Sequence, residues 1–121
     1  MDDDKHGIIL EKSFGFAVRI VKLYKFLVEN KKEFVLSKQI LKSGTSIGAN
    51  VEEAHGGIST PDFSNKISIA YKEGKETKYW LRLLHETEYI DKEMFESLFS
   101  DCEELNKILF SIIKTTRIKN K

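Results

Sequence analysis

Four stretches of helical periodicity, a single proline in 121 residues and no stretch of alternating polarity predict an all-α fold, an antiparallel up-and-down four-helix bundle. In the first stretch Phe16, Ile20, Leu23 and Leu27 recur at helical spacing, as do Ala17, Val21, Tyr24 and Val28, which predicts a helix over 13–30. Residues 1–12 are acidic and then mixed, and read as a flexible N-terminus. The pattern breaks over 30–34. The second helix then carries Ile40, Gly44, Ile47, Val51 and Ala54 on one seam and stops at His55-Gly56-Gly57, glycine being the usual residue just past a helix. Ser59-Thr60-Pro61-Asp62 supplies a hydroxyl cap, a first-turn proline and a carboxylate at the positive end of the dipole. The third helix follows with Phe63, Ile67, Ala70, Gly74, Thr77, Leu81 and Leu84. Asp91 caps the fourth, whose seam is Phe95, Leu98, Cys102, Leu105, Leu109 and Ile112, and residues 115–121 form a basic tail. Helices of about 18 to 27 residues, about 27 to 40 Å long, with short connections pack as antiparallel neighbours. One domain spans 1–121.

Composition narrows the function classes. Hydrophobic residues at 40% and charged residues at 32% are ordinary for a globular chain, and a net charge of +1 provides no global field for nucleic acid or membrane. Cys102 is the only cysteine, so an intramolecular disulfide and a cysteine-rich zinc site are both excluded. The start has no apolar run like a signal peptide, and no apolar run approaches a membrane span. The expected location is cytoplasmic.

The first helix is too apolar for a monomer. Lys12, Gly15, Arg19, Lys22, Lys25 and Glu29 line a polar strip one seam wide, while Phe14, Val18 and Phe26 lie outside both apolar seams. So wide an apolar surface points to self-association. In Ser43-Gly44-Thr45-Ser46-Ile47-Gly48-Ala49-Asn50, two mid-helix glycines cost about 2 kcal/mol relative to alanine. Gly44 and Gly48 are four apart and make one flat strip for close helix packing. A phosphate loop is the sharper reading, but no Lys-Ser or Lys-Thr follows the glycines and no strand precedes them.

Glu73 and Glu76 fall on a stripe with Ile69, Trp80 and Leu83, between apolar residues. Ser46, Asn50 and Glu53 make a matching polar line on the second helix. A buried carboxylate must be paired or hydrogen-bonded, so the five residues are read as a polar network that fixes register, or as a ligand or subunit contact. Glu52 and His55 form a Glu-x-x-His pair of the kind found in di-iron bundles. Such a centre needs two pairs, and the residues three before His6 and His85 are Asp3 and Arg82. No nucleophile with a base is legible, and neither a metal nor a cofactor is expected.

Two stretches carry a family resemblance: Ser37-Lys38-Gln39-Ile40-Leu41-Lys42-Ser43-Gly44-Thr45-Ser46-Ile47-Gly48-Ala49-Asn50-Val51-Glu52-Glu53-Ala54 and Ala70-Tyr71-Lys72-Glu73-Gly74-Lys75-Glu76-Thr77-Lys78-Tyr79-Trp80-Leu81. From about Phe14 to the end of the fourth helix the chain resembles the 23S ribosomal RNA intervening-sequence proteins. The resemblance implies a four-helix bundle that assembles as a homopentamer with a central pore, in a family whose molecular role is not established. It also implies a likeness in fold to the accessory proteins of diversity-generating retroelements, which are strongly basic and bind nucleic acid. This chain departs from the latter in its near-zero net charge, and from its own family in carrying Gly74 where alanine is usual.

The expectation is therefore a non-enzymatic, homo-oligomeric binding module for structured RNA or another nucleic acid. Lys12, Arg19, Lys22 and Lys25 on the first helix, with Lys114, Arg117, Lys119 and Lys121 at the C-terminal end, are the candidate phosphate contacts. The alternative is a protein-interaction scaffold without nucleic-acid contact, and a metal-dependent enzyme is the distant third.

Overall fold

In a computed structural model the backbone is described over residues 2–57 and 59–119, and the side chains over 5–57 and 59–116. Four helices follow one another: α1 (Asp2–Lys31), α2 (Leu36–His55), α3 (Thr60–Glu86) and α4 (Lys92–Lys119). They pack in the cyclic order α1–α2–α3–α4–α1. Cross-helix contacts run in opposite senses along every neighbouring pair. Lys5, Lys12 and Arg19 of α1 meet Ser111, Glu104 and Asp101 of α4, and Tyr71, Lys78 and His85 of α3 meet Phe110, Phe99 and Phe95 of α4. Gly44 and Gly48 of α2 lie against Ile20 and Ser13 of α1, and Ser43 and Glu53 of α2 meet Thr77 and Lys66 of α3. The bundle is up-and-down.

Apolar seams spaced by three and four residues make these helices, and their burial holds them together. Ile9, Phe16, Ile20 and Leu27 of α1 are essentially excluded from water with Ile40 and Ile47 of α2, Ile67 and Leu81 of α3, and Leu105 and Leu109 of α4. The expected caps form. Ser59 Oγ accepts from Asp62 N–H at 3.2 Å, and Asp91 Oδ1 accepts from Met94 N–H at 2.8 Å.

Both chain ends differ from the sequence expectation. The helix expected to begin at Ser13 begins at Asp2, and residues 1–12 are not a separate flexible arm over their described part. Ile9 is fully buried, and Lys5 Nζ donates to Ser111 Oγ at 2.6 Å. One apolar triplet, Ile8-Ile9-Leu10, in an otherwise polar stretch has no helical period to be seen without α4 beside it. At the other end α4 continues to Lys119, with Thr116 buried where the basic tail was expected to start.

The start of α2 is held by a residue that the capping rules overlook. The residue at the cap position, Val35, has no side-chain oxygen. Glu33 replaces it, its carboxylate accepting from the N–H groups of Val35, Leu36 and Ser37 at 3.2, 3.0 and 2.7 Å. Burial alone raises the Glu33 pKa. The bonds from Leu36, Ser37 and Val35 outweigh it and leave the carboxyl below the ordinary value of 4.5.

The glycine strip of α2 lies close against α1. A Cβ on Gly44 would lie 2.7 Å from Ile20 Cγ1, and one on Gly48 would lie 3.2 Å from the Ser13 carbonyl oxygen. Backbone cannot yield as a flexible side chain can, so Gly48→Leu should destabilise the bundle by about 1–3 kcal/mol, read as a lowered urea midpoint. Replacing Glu33 with glutamine should cost about 1–2 kcal/mol near neutral pH. Because the folded pKa is depressed, this contribution is complete above the unfolded value and is lost as pH falls through the folded one. The stability gap between wild type and E33Q should therefore close on the acid side, and a gap independent of pH would refute this role for the carboxylate.

Candidate interaction surfaces

On α1 the outward face divides into an apolar stripe and a row of cations. Phe14, Val18 and Val21, spaced by four and three, are 66%, 39% and 37% exposed, and Ile8 lies exposed further toward the N-terminus. Phe26, expected to be exposed beside them, is half-buried against the core with Lys31 over its ring. Nothing among the described residues covers the stripe.

The cations are less available than their spacing suggests. Lys12 Nζ pairs with Glu104 at 3.3 Å, and Arg19 bonds to the Asp101 carboxylate and to Ser97 Oγ. These contacts close the seam between α1 and α4 above a hollow of about 270 Å³ floored by Phe16 and Leu105. Lys12 and Arg19 are thus neutralised by α4, whereas Lys22, Lys25 and Lys114 are exposed. The side chains of Arg117, Lys119 and Lys121 lie outside the described residues.

The network expected from Ser46, Asn50, Glu53, Glu73 and Glu76 does not form. Ser46 Oγ donates to the Lys42 carbonyl and Asn50 Nδ2 to the Ser46 carbonyl, each within α2. Glu53 pairs with Lys66 at 2.7 Å, and Glu76 accepts from Trp80 Nε1 at 3.2 Å. A side chain that can reach its own helix carbonyl four residues back satisfies itself locally. Glu73 is the member left in tension. Burial, and then the Glu76 charge, push its carboxyl pKa up against the opposing pull of Lys42. A buried polar bridge between α2 and α3 lies one step further round, where Thr77 Oγ1 donates to the Ser43 hydroxyl at 3.0 Å.

A surface that sequence reasoning missed lies between α3 and α4. Tyr71 and Phe110 meet with ring centroids 5.7 Å apart, and Lys75 and Lys114 sit over them at 5.4 and 5.3 Å. Tyr71, Phe110 and Lys75, with Lys78, Glu103, Asn106 and Lys107, line a groove of about 190 Å³. The recurring signal was an aromatic residue followed four later by lysine, Tyr71–Lys75 and Phe110–Lys114. It becomes a surface only when the two helices are side by side.

Gly74 and Asn106 floor this groove as a fitted pair. A Cβ on Gly74 would fall on the Asn106 amide oxygen, and that oxygen has no hydrogen-bond partner among the described residues. Beside them Cys102 is fully buried with Sγ 3.4 Å from the Gly74 carbonyl, and burial pushes its thiol pKa up to about 12. It is a core residue rather than a nucleophile.

At the end of the bundle where α2 runs into α3, His6, His55 and Phe63 cluster around a cavity of about 510 Å³. His55 Nδ1 is 2.8 Å from the Val51 carbonyl, which assigns the proton to Nδ1. Among the described residues no group of three or more His, Cys, Asp or Glu is placed to hold a metal ion, and no helix is long and apolar enough to cross a membrane.

Fold and surface together define a four-helix-bundle protein with one uncovered apolar stripe and one aromatic–cationic groove. The family model described as 23S rRNA-intervening sequence protein matches residues 5–111, and the chain belongs to that family. Among solved structures it is similar to a protein of unknown function from the S23 ribosomal protein family of Bacteroides thetaiotaomicron, a crystal structure at 1.70 Å resolution. That match has 60% identity and a TM-score of 0.90, and covers 91% of this chain and 98% of the other. No curated protein matches.

The Gly74–Asn106 pair yields a coupling test. Alanine is better than glycine in a helix by about 1 kcal/mol. Gly74→Ala alone should nevertheless lower the melting temperature, because Asn106 must move. In an Asn106→Ala background the same change should raise it. Additive effects in the double-mutant cycle would show that the two residues do not constrain each other.

Proposed function

We propose that this protein is a non-enzymatic, self-assembling binding module of the cytoplasm that acts as an oligomer, with nucleic acid as its ligand. The observation that carries the reading is the uncovered stripe of Phe14, Val18 and Val21 on α1. Three large apolar side chains at one helical spacing form a contiguous face, and such a face is retained where something covers it. A second copy is the economical partner, because a symmetric assembly covers every copy's stripe at once. Five copies is the number that the family likeness implies. Exposed Lys22, Lys25 and Lys114, repeated by the symmetry, give the assembly more phosphate-contacting charge than a single chain with a net charge of +1.

One observation favours a scaffold that contacts proteins and not nucleic acid. Lys12 and Arg19 are engaged by Glu104 and Asp101, which removes half of the α1 cationic strip from phosphate binding. The two readings separate on salt: nucleic-acid affinity should fall steeply as ionic strength rises, while a largely apolar protein contact should not.

Sedimentation of the full chain should give a mass several times 14.0 kDa at micromolar concentration. Phe14→Asp together with Val18→Asp should shift it to monomer with the helical circular dichroism retained, since both positions are exposed. A wild-type monomer at that concentration would sink the reading.

A further inference from the structure

The groove between α3 and α4 collects features that the rest of the surface keeps apart. Lys75, Lys78 and Lys107 line it together with Glu103, Lys114 stands over Phe110 at its edge, and among the described residues only Lys78 of these four lysines is paired with an acid, Glu103 at 3.7 Å. In a chain with a net charge of +1 this is a local excess of positive charge. Its walls are aromatic. Phe110 is 44% exposed, Tyr71 packs with its ring centroid 5.7 Å from that of Phe110, and Lys75 and Lys114 stand over the two rings. Its floor holds Asn106, 6% exposed, whose amide oxygen has no partner among the described residues.

We infer that this groove is a subsite for single-stranded nucleic acid, in which an unpaired base lies against the Tyr71–Phe110 wall and the lysines contact the flanking phosphates. Concentrated cations select a polyanion, and aromatic faces select one whose planar rings are free to stack. A duplex hides those rings and offers only its backbone and grooves to an approaching helix. The hollow, at about 190 Å³, is smaller than the roughly 300 Å³ at which pockets begin to enclose a small molecule. It therefore suits one ring of a polymer whose charge is bound outside it, more than a free nucleotide. Position agrees: the groove lies between α3 and α4, away from the α1 stripe.

The inference rests on the nucleic-acid part of the proposed function, and the experiment separates the two. Fluorescence anisotropy of a labelled twelve-nucleotide oligouridine is measured against salt for the full-length wild type and three variants. Lys75→Ala with Lys107→Ala should weaken binding and reduce the slope of log affinity against log salt by about 1.4, at about 0.7 for each phosphate no longer neutralised. Phe110→Leu keeps an apolar side chain but removes the stacking face, and should weaken binding about 5-fold or more with the slope unchanged. Lys22→Ala with Lys25→Ala, on α1, should cost less affinity than the groove lysine pair if the groove is the site. All three positions in the groove variants are exposed, and circular dichroism checks that each variant is folded.

Wild-type affinity in both groove variants, with weaker binding by the Lys22 and Lys25 variant, would overturn the groove while leaving nucleic-acid binding by the assembly intact. Tighter binding of a duplex of the same length, or equal binding of uridine monophosphate, would overturn the single-strand assignment. No binding of any oligonucleotide at low salt would remove both the groove and the nucleic-acid reading.

Discussion

How closely α1 can lie on α2 governs the arrangement of the bundle. Where α2 crosses Ser13 and Ile20 it has no side chains at Gly44 and Gly48, so the α1 backbone and the Ile20 branches occupy the space a Cβ would take. That approach seats Phe16 and Ile20 in the core, and the face of α1 opposite them is turned outward with Phe14, Val18 and Val21 on it. The two glycines weaken α2 as an isolated helix. Close packing against α1 offsets that loss, an instance of tertiary structure overriding local propensity.

The other closure of the ring has a different character. Between α1 and α4 the outer contacts are long polar side chains, Lys5 to Ser111, Lys12 to Glu104 and Arg19 to Asp101 and Ser97, spread over the hollow above Phe16 and Leu105. Exposed ion pairs of this kind contribute little net stability but do select register, because each cation meets a partner only at one offset of the helices. Two tasks are thus divided between the faces of α1. Its α2 side provides fit, and its α4 side provides alignment.

Legibility in the sequence followed the range of the interaction. The seams of all four helices, the Ser59 and Asp91 caps and the stop at His55-Gly56-Gly57 depend on residues within a few positions of each other, and each was readable. The glycine strip was readable as an anomaly, because two costly residues four apart need a reason. The first turns of α1 were not, since Ile9 and Lys5 find their partners on the far side of the sequence. The Glu33 cap was missed because its carboxylate reaches forward from the connection to three amides, a contact set by backbone shape. The polar network failed for a related reason: spacing places Ser46 and Asn50 on one face but cannot say that each will bond to its own helix. The α3–α4 groove needed both helices in place, since half its cations belong to each.

The order of the helices around the ring has a consequence for the sequence of folding events. Three of the four packed pairs are hairpins of consecutive helices, each closable through a short connection. The fourth joins the first helix to the last, with partners such as Lys12 and Glu104 separated by 92 positions. Closing a long loop costs more chain entropy, and here the return is polar and thinly packed. The α1–α4 seam is thus the natural last step of folding and the first place for the native bundle to open. Slow hydrogen exchange should mark the amides of α2 and α3, whose neighbours on both sides are consecutive helices, and faster exchange those at the N-terminal end of α1. An assembly that grips α1 from outside would clamp the element with the weakest hold on its own chain, so that oligomerisation and completion of the fold become one event.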